Sequence, residues 1–201
     1  KIQEGYIGEI TGGIVYWNQG MLWYRERQEG WTDMEWNIRD WVNWKWLSGD
    51  HIIEQHVHNI DVFLWMSGLK VKSATAFGSR QRRITGDQYD NFSTDFVCEN
   101  GVHFHSMCRQ IDGCSNAVGE EVFGTTGSWN SITHEIKVLQ GNVIWKYDHP
   151  QAETVYKQFN PYVLEHVDAF DHIRQGKSLD EATACAISSL RSRRLSTLVL
   201  I

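Results

Sequence analysis

The chain has 201 residues and a mass of 23.3 kDa, so residues 1–201 are expected to form a single domain with its own hydrophobic core. Hydrophobic residues make up 41% of it and charged residues 22%, with two prolines, which excludes a disordered or collagen-like chain. The net charge of −6, with no broad basic region, argues against a nucleic-acid binder, and no apolar run approaches the roughly 18 residues of a membrane span.

The first element is a predicted strand from Gly8 to Trp17, which bends or is closely approached at Gly12 and Gly13. Residues 18–48, the tryptophan segment, show neither the period of a strand nor that of a helix. Seven of the ten tryptophans fall between positions 17 and 46. This pattern predicts a long, packed loop, in which the tryptophan rings either stack on a sugar or form the core of the loop itself.

A continuous amphipathic helix is predicted from Asp50 to Ser67, because its apolar residues recur at helical spacing. The opposite face carries a stripe of four ionisable groups: His51, Glu54, His58 and Asp61. Such a stripe differs from the lysine and glutamate pattern of an ordinary solvated helix face.

Strands are then predicted at 71–77, 92–98, 102–110, 121–125, 131–138 and 142–147. Asn100-Gly101 predicts a two-residue hairpin turn that pairs Cys98 with His103 and excludes a cross-strand disulfide. Two helices follow, one from Tyr162 to Arg174 behind Pro161 and one capped by Ser178. The order predicts an α+β fold, with a largely antiparallel sheet covered by helices on one face. The other face is expected to bury itself in a homo-oligomer.

The strongest candidate for chemistry is the pair Glu54 and His58. Residues at i and i+4 can hydrogen-bond, and a carboxylate that fixes the tautomer of an imidazole makes it a general acid/base. The alternative interpretation is a surface or capping pair with no catalytic role.

Other polar residues support weaker hypotheses. Arg109, with His103 and His105 on one face of a strand, suits a substrate clamp, or simply a polar sheet face. The crowded His51, Glu54, His56 and His58 lack the spacing of a metalloprotease motif, so no metal site is expected. No cysteine pair has zinc-ligand spacing, and four idle or buried thiols are expected: Cys98, Cys108, Cys114 and Cys185.

Four segments in order resemble motifs of the Gfo/Idh/MocA family, named for glucose-fructose oxidoreductase and inositol dehydrogenase. Ser48-Gly-Asp-His-Ile-Ile-Glu-Gln-His-Val-His-Asn-Ile-Asp61 resembles the family motif G-G-G-x-x-x-D-x-G-x-H-x-x-D. Gly5-Tyr-Ile-Gly-Glu-Ile10 resembles the G-x-I-G-x-I strand, Val122-Phe-Gly-Thr-Thr-Gly127 the y-G-T-x-G strand, and residues 172–182 the closing helix pair. All four motifs belong to the carboxy-terminal domain of the family, which resembles the dihydrodipicolinate reductase domain and has an open mixed sheet.

The resemblance implies roles for individual residues. His58 matches the histidine that exchanges a proton with the substrate hydroxyl while hydride passes to a nicotinamide, and Glu54 matches its acidic partner, usually an aspartate. With Arg109, His105, Trp46 and Asp61 as substrate contacts, it implies a substrate-binding and oligomerisation domain of an oxidoreductase acting on a sugar, cyclitol or derivative.

The same resemblance implies that NAD or NADP binds outside this chain. Relatives hold the cofactor with G-x-G-x-x-G and use an E-K-P lysine, and this sequence contains neither motif. The fragment alone is therefore expected to bind no cofactor and to be inactive. Asp50 and His51 stand where the family motif has two glycines, a pattern that resembles a subgroup whose members often carry an export signal, so a periplasmic location is an alternative to a cytoplasmic one.

The sequence is also consistent with two alternative functions. One is the domain of an NAD-dependent glycosidase that oxidises, eliminates and rehydrates its substrate. The other is a non-catalytic module that dimerises and binds carbohydrate through the tryptophan segment.

Overall fold

The computed structural model describes residues 1–147, 160–179, 182–183 and 185–186. Its helices are α1 (Asp33–Arg39), α2 (Lys45–Ser48), α3 (His51–Glu54), α4 (Val57–Ser67) and α5 (Pro161–Arg174), with a 3-10 turn at Trp41–Asn43. Its strands are β1 (Ile10–Gln19), β2 (Val71–Ser79), β3 (Asn91–Cys98), β4 (His103–Gln110), β5 (Ala117–Gly124), β6 (Gly127–Asn130), β7 (Glu135–Val138) and β8 (Val143–Lys146).

The eight strands form one sheet in the order β2-β3-β4-β1-β5-β6-β7-β8. All neighbours are antiparallel except β1 and β4, which run parallel with Gly12 beside His103 and Gln19 beside Gln110. This confirms the predicted α+β fold with an open mixed, largely antiparallel sheet.

The sheet has a helix face, on which α4 packs, and an open face. Alternate residues of β4 such as Phe104 and Cys108 are buried on the helix face, whereas the residues between them point to the open face. Phe63 of α4 stacks on Phe104 with ring centroids 4.2 Å apart. A side chain at Gly13 would overlap the Phe63 ring, so the close approach expected at this glycine is confirmed. Complete burial of such a phenylalanine contributes about 1.5–3 kcal/mol.

The hairpin between β3 and β4 differs from the expected one by a single residue. Phe92 pairs with Cys108 and Val97 with His103, and Cys98 N donates to Val102 O at 2.8 Å. The loop therefore holds three residues and ends at Gly101 with φ +84°, which only glycine adopts without strain. The predicted two-residue turn was wrong. Asn-Gly occurs in hairpin loops of two residues and of three, so the dipeptide alone does not determine the loop length.

The structure also tests the predicted strand 131–138 and the predicted helices near the end of the chain. Only the second half of the predicted strand 131–138 is confirmed, as β7, because residues 131–134 form the turn between β6 and β7, with His134 at φ +54°. The helix behind Pro161 is confirmed as α5, whose N-cap Asn160 accepts a hydrogen bond from Tyr162 N. The helix expected after Ser178 lies mostly outside the described residues.

The sequence also led to predictions about the cysteines and about membrane-spanning helices. The four cysteines form no disulfide with one another; Cys98 and Cys108 are buried, and Cys114 and Cys185 are exposed. Burial raises the pKa of the Cys108 thiol well above its ordinary value, which makes this thiol inert. Within the described part of the chain, no helix has the length and apolar character that crossing a bilayer requires.

Candidate functional site

The helix expected from Asp50 to Ser67 is interrupted at Gln55 and His56. His56 N donates to His51 O at 3.1 Å, a bond across five residues that marks a local π-type bulge. The His56 side chain turns into the core, and its Nε2 lies 2.7 Å from Ser106 Oγ on β4. The continuous helix was therefore wrong, because satisfying a buried imidazole outweighs one regular helical turn.

The buried hydrogen bonds of His56 fix its tautomer. Asn59 Nδ2 donates to Glu120 Oε1 at 2.5 Å, so Asn59 Oδ1 accepts from His56 Nδ1 at 3.2 Å. His56 Nε2 then accepts from the Ser106 hydroxyl. Burial lowers the pKa of His56 to about 3. His56 is therefore neutral and structural at neutral pH.

Asp50 starts α3 in a strained backbone conformation. Its φ of +75° and ψ of 161° lie in a region that is nearly restricted to glycine, at a cost of roughly 1–3 kcal/mol. The buried carboxylate offsets this cost by accepting from His51 N at 2.8 Å and Tyr89 N at 3.1 Å, with His51 Nδ1 also 3.1 Å away. A carboxylate therefore orients His51, which is 2% exposed.

Arg83 completes this buried cluster. Its guanidinium donates to Tyr89 O at 3.0 Å and to Gln110 Oε1 at 2.7 Å, and Nε lies 3.7 Å from Asp90 Oδ1. Burial lowers the pKa of Arg83, and the charges of Asp50 and Asp90 oppose that shift. The cluster ties residues 80–90 to the start of α3. Sequence reasoning missed it, although the basic cluster of Arg80, Arg82 and Arg83 and an aspartate in place of a family glycine were visible signals.

His58 contrasts with the two buried histidines. It is exposed on the first turn of α4, and no hydrogen bond engages its ring within the described residues. Its centroid lies 5.9 Å from the ring of Trp17 on the helix face of β1. A free imidazole beside a large apolar ring can exchange a proton with a ligand that stacks there.

The expected bond between Glu54 and His58 is not formed. Glu54 ends α3, and its Oε2 accepts from Gln55 Nε2 at 2.6 Å instead. The interruption at His56 removes the regular i to i+4 geometry that the prediction assumed. Within the described residues, Glu54 Oε1 takes part in no hydrogen bond, so one carboxylate oxygen stays available.

The predicted substrate contacts divide between the two faces of the sheet. Asp61 lies half-buried on α4, one turn beyond His58, and Trp46 is exposed on α2, where its Nε1 donates to Asn37 Oδ1 at 3.0 Å. Arg109 and His105 point to the open face, so the sheet separates them from His58. The structure does not bring these four residues together.

Arg109 has a local role in the structure. Its guanidinium donates to Ile111 O at 2.7 Å and to Ser115 O at 2.5 Å, which fixes the loop after β4. His105 lies opposite Asp95 in the register of β3 and β4, and Asp95 Oδ2 is 2.8 Å from His103 Nδ1. These contacts agree with the alternative interpretation, in which Arg109, His103 and His105 simply form a polar part of the sheet face.

The tryptophan segment contains α1, the 3-10 turn and α2, so it is more regular than the predicted loop. Trp36 packs edge-on against Trp44 at 5.2 Å and donates through Nε1 to Arg25 O at 2.7 Å. The buried Asp40 Oδ1 accepts from Arg25 N, which also holds the segment together. The inner rings thus form the core of the segment, while others, including Trp46, face outward.

The described part of the chain contains no cluster of three or more histidine, cysteine, aspartate or glutamate side chains that could hold a metal ion.

Comparison with known proteins places these features in context. A family model described as the GFO/IDH/MocA C-terminal domain matches residues 1–130. A search of the curated proteins finds no match.

Solved structures match nearly the whole chain. Levoglucosan dehydrogenase in complex with NADH matches with a TM-score of 0.71 and 18% identity, covering 98% of this chain and 58% of that one. Aldose-aldose oxidoreductase from Caulobacter crescentus, complexed with glycerol, matches at 0.71 and 12%, covering 98% and 55%. Myo-inositol 2-dehydrogenase from Lactobacillus plantarum matches at 0.63 and 17%, covering 98% and 56%. At these identities the likeness establishes the fold, and this chain spans little more than half the length of those proteins.

Proposed function

Because this chain belongs to the GFO/IDH/MocA C-terminal domain family, we propose that it is the substrate-binding and oligomerisation domain of an NAD(P)-dependent oxidoreductase acting on a sugar, cyclitol or derivative. Structural neighbours named as oxidoreductases of levoglucosan, aldoses and myo-inositol support this substrate class. The proposal concerns a longer protein, of which this chain supplies one domain.

The observation that carries the proposal is the state of the three histidines around α3 and α4. His51 is buried against Asp50, and His56 is buried and neutral. His58 alone among these three is exposed, and within the described residues no hydrogen bond occupies its ring. His58 is therefore the one that can accept the proton of a substrate hydroxyl during oxidation and return it during reduction.

Neighbouring side chains suit a polyhydroxylated substrate. The face of Trp17 offers a surface for the C–H groups of a sugar ring, next to the His58 imidazole. Asp61 and Trp46 remain proposed contacts for hydroxyl groups and ring faces, and Glu54 remains the proposed carboxylate partner of His58 through its Oε1. Arg109 and His105 lie outside this site because they occupy the open face.

The hydride acceptor in such a protein would be NAD or NADP, held outside this chain. The sequence carries no G-x-G-x-x-G dinucleotide fingerprint between a strand and a helix. Within this domain, catalysis is limited to binding the substrate and moving a proton at His58.

The test is an assay of the complete protein with NAD or NADP and a panel of aldoses, inositols and anhydrosugars, followed through nicotinamide absorbance. We expect reduction of the cofactor with at least one polyol by the complete protein and none by residues 1–201 alone. Turnover by this chain alone would contradict the proposal. Release of a free sugar without net cofactor reduction would instead support the NAD-dependent glycosidase.

The open face of the sheet supports the oligomerisation part of the proposal. Ile14 and Tyr16 lie there half-buried at the centre of the sheet, and Phe77 on β2 is 71% exposed. These apolar side chains lie among polar ones such as His105 and Arg109, and exposed apolar groups on an open sheet face commonly pack against a partner, most often a second copy.

Light scattering checks this expectation. We expect the chain to be a dimer or larger assembly, and Phe77→Lys to shift it toward monomer because a charge would be buried in the contact. Phe170→Lys on α5, also an exposed phenylalanine, is the matched control. A monomeric parent chain would overturn the proposed sheet-face contact.

A further inference from the structure

A cavity of about 500 Å³ lies on the helix face of the sheet, beside the last turn of α4. Its floor is a row of three register partners, Trp129 on β6, Ile136 on β7 and Trp145 on β8. Two strand spacings separate the two tryptophans, or about 10 Å. The volume falls within the range of about 300–1,000 Å³ that is common for small-molecule sites.

The wall of the cavity comes from α4 and the first residues of the chain. Trp65 and Met66 belong to the last turn of α4, and Gln3 Nε2 donates to Trp65 O at 3.2 Å. This bond ties the amino-terminal turn to the helix and closes one side. The cavity is thus built from three separate parts of the fold.

The charges around the cavity disfavour an anionic ligand. Among the described lining residues, Lys1 is the only lysine or arginine, and its Nζ pairs with Glu4 Oε2 at 2.6 Å. The same ammonium lies 4.9 Å from the ring of Tyr6. Because neighbouring groups already balance this charge, a neutral ligand fits the cavity better than an anion.

The tryptophans offer both apolar faces and hydrogen-bond donors. No indole N–H of Trp65, Trp129 or Trp145 donates a hydrogen bond within the part of the chain that is described. An alkyl chain would fill the space but would offer these donors no acceptor. A pyranose ring has apolar C–H faces and hydroxyl oxygens around its edge, and it complements both features.

We propose that this cavity is a second carbohydrate site, which binds a neutral pyranose unit between the indoles of Trp65, Trp129 and Trp145. Trp65 follows His58 by seven residues on α4, or about 10 Å along the helix axis, and His58 does not line the cavity. The inference stands independently of the proposed reaction at His58, since it concerns binding alone.

The experiment is an NMR titration of this chain with methyl β-D-glucopyranoside and with cellobiose, observed through the tryptophan indole N–H signals. We expect the signals of the three cavity tryptophans to shift, with a Kd on the order of 1 mM, while those of the exposed Trp23 and Trp41 stay in place. Cyclohexanol, a ring without the peripheral hydroxyls, serves as the apolar comparison.

Single substitutions then locate the site. Trp65→Ala, which truncates a side chain that is 67% exposed, should weaken binding by about two- to tenfold, and Trp41→Ala should leave it unchanged. Absence of any shift with both sugars, equal shifts at Trp23 and Trp41, or tighter binding of cyclohexanol than of the sugars would each overturn the proposal. None of these outcomes depends on whether the complete protein oxidises a sugar.

Discussion

Replacing His58 by alanine in the complete protein is expected to lower kcat/KM for the oxidised sugar by about 10²–10⁴-fold, the usual contribution of a general acid/base. The substitution removes the imidazole that exchanges the hydroxyl proton, whereas the position of hydride transfer stays the same. The fold should be unaffected, because His58 is exposed and no hydrogen bond engages it within the described residues. Steady-state kinetics with the best polyol, together with an unchanged thermal midpoint, provides the measurement.

Two further variants make this result specific. His166→Ala removes an exposed histidine of α5 and should leave kcat/KM unchanged. Glu54→Gln should reduce it less than His58→Ala does, since the carboxylate acts through the imidazole. Full turnover by His58→Ala would remove the assigned role, and an equal loss in His166→Ala would show a nonspecific cause.

Acid should destabilise the chain through His56. The pKa of His56 is about 3 in the folded state, below the ordinary value of 6.5, because burial disfavours the charged imidazole. The unfolded chain therefore binds more protons between these two values, and the free energy of unfolding falls as the pH drops through 6.5 toward 3. Two pH units below 6.5, the expected loss is roughly 2–3 kcal/mol, at about 1.4 kcal/mol for each unit. Urea unfolding of this chain at several pH values measures it.

The control for His56 is His56→Gln, whose side chain can still contact Ser106 and Asn59 but does not titrate. Its stability at neutral pH should be lower, and its decline between pH 6.5 and 4.5 should be shallower than that of the parent chain. Parallel declines would contradict the assignment. If the variant fails to fold, imidazole NMR signals of the parent chain decide the question, since His56 must stay neutral at pH 4.5.

The sheet was largely predictable because its strands are marked by alternation. In β4 the even positions, including Phe104 and Cys108, are buried, and the odd ones, including His105, are exposed or half-buried, as a period of two predicts. The pairing of residues between β3 and β4 depended on the length of the loop that joins these strands. The loop after Cys98 holds three residues instead of two, and this shifted every partner in the hairpin by one.

The candidate site was only partly predictable, because its arrangement depends on partners distant in sequence. Helical spacing placed Glu54 next to His58, but it could not show that His56 would bond Ser106, fifty residues away, and interrupt the helix. Likewise, nothing in the sequence next to Asp50 and His51 indicates that Tyr89 N donates to the Asp50 carboxylate or that the Arg83 guanidinium lies 3.4 Å from His51 Nδ1. A single sequence reveals periodicity, whereas tertiary contacts decide which polar groups are used internally.

The placement of β1 also determines how this sheet can assemble. β2, β3 and β4 form one meander and β5 to β8 another, and β1 alone joins the two. During synthesis β1 therefore stays unpaired until β4, more than ninety residues downstream, is available, and its other edge waits for β5. Such long-range closure slows folding and leaves a bare edge open to aggregation during synthesis. Deleting the first twenty residues would separate the sheet into two halves rather than shorten it.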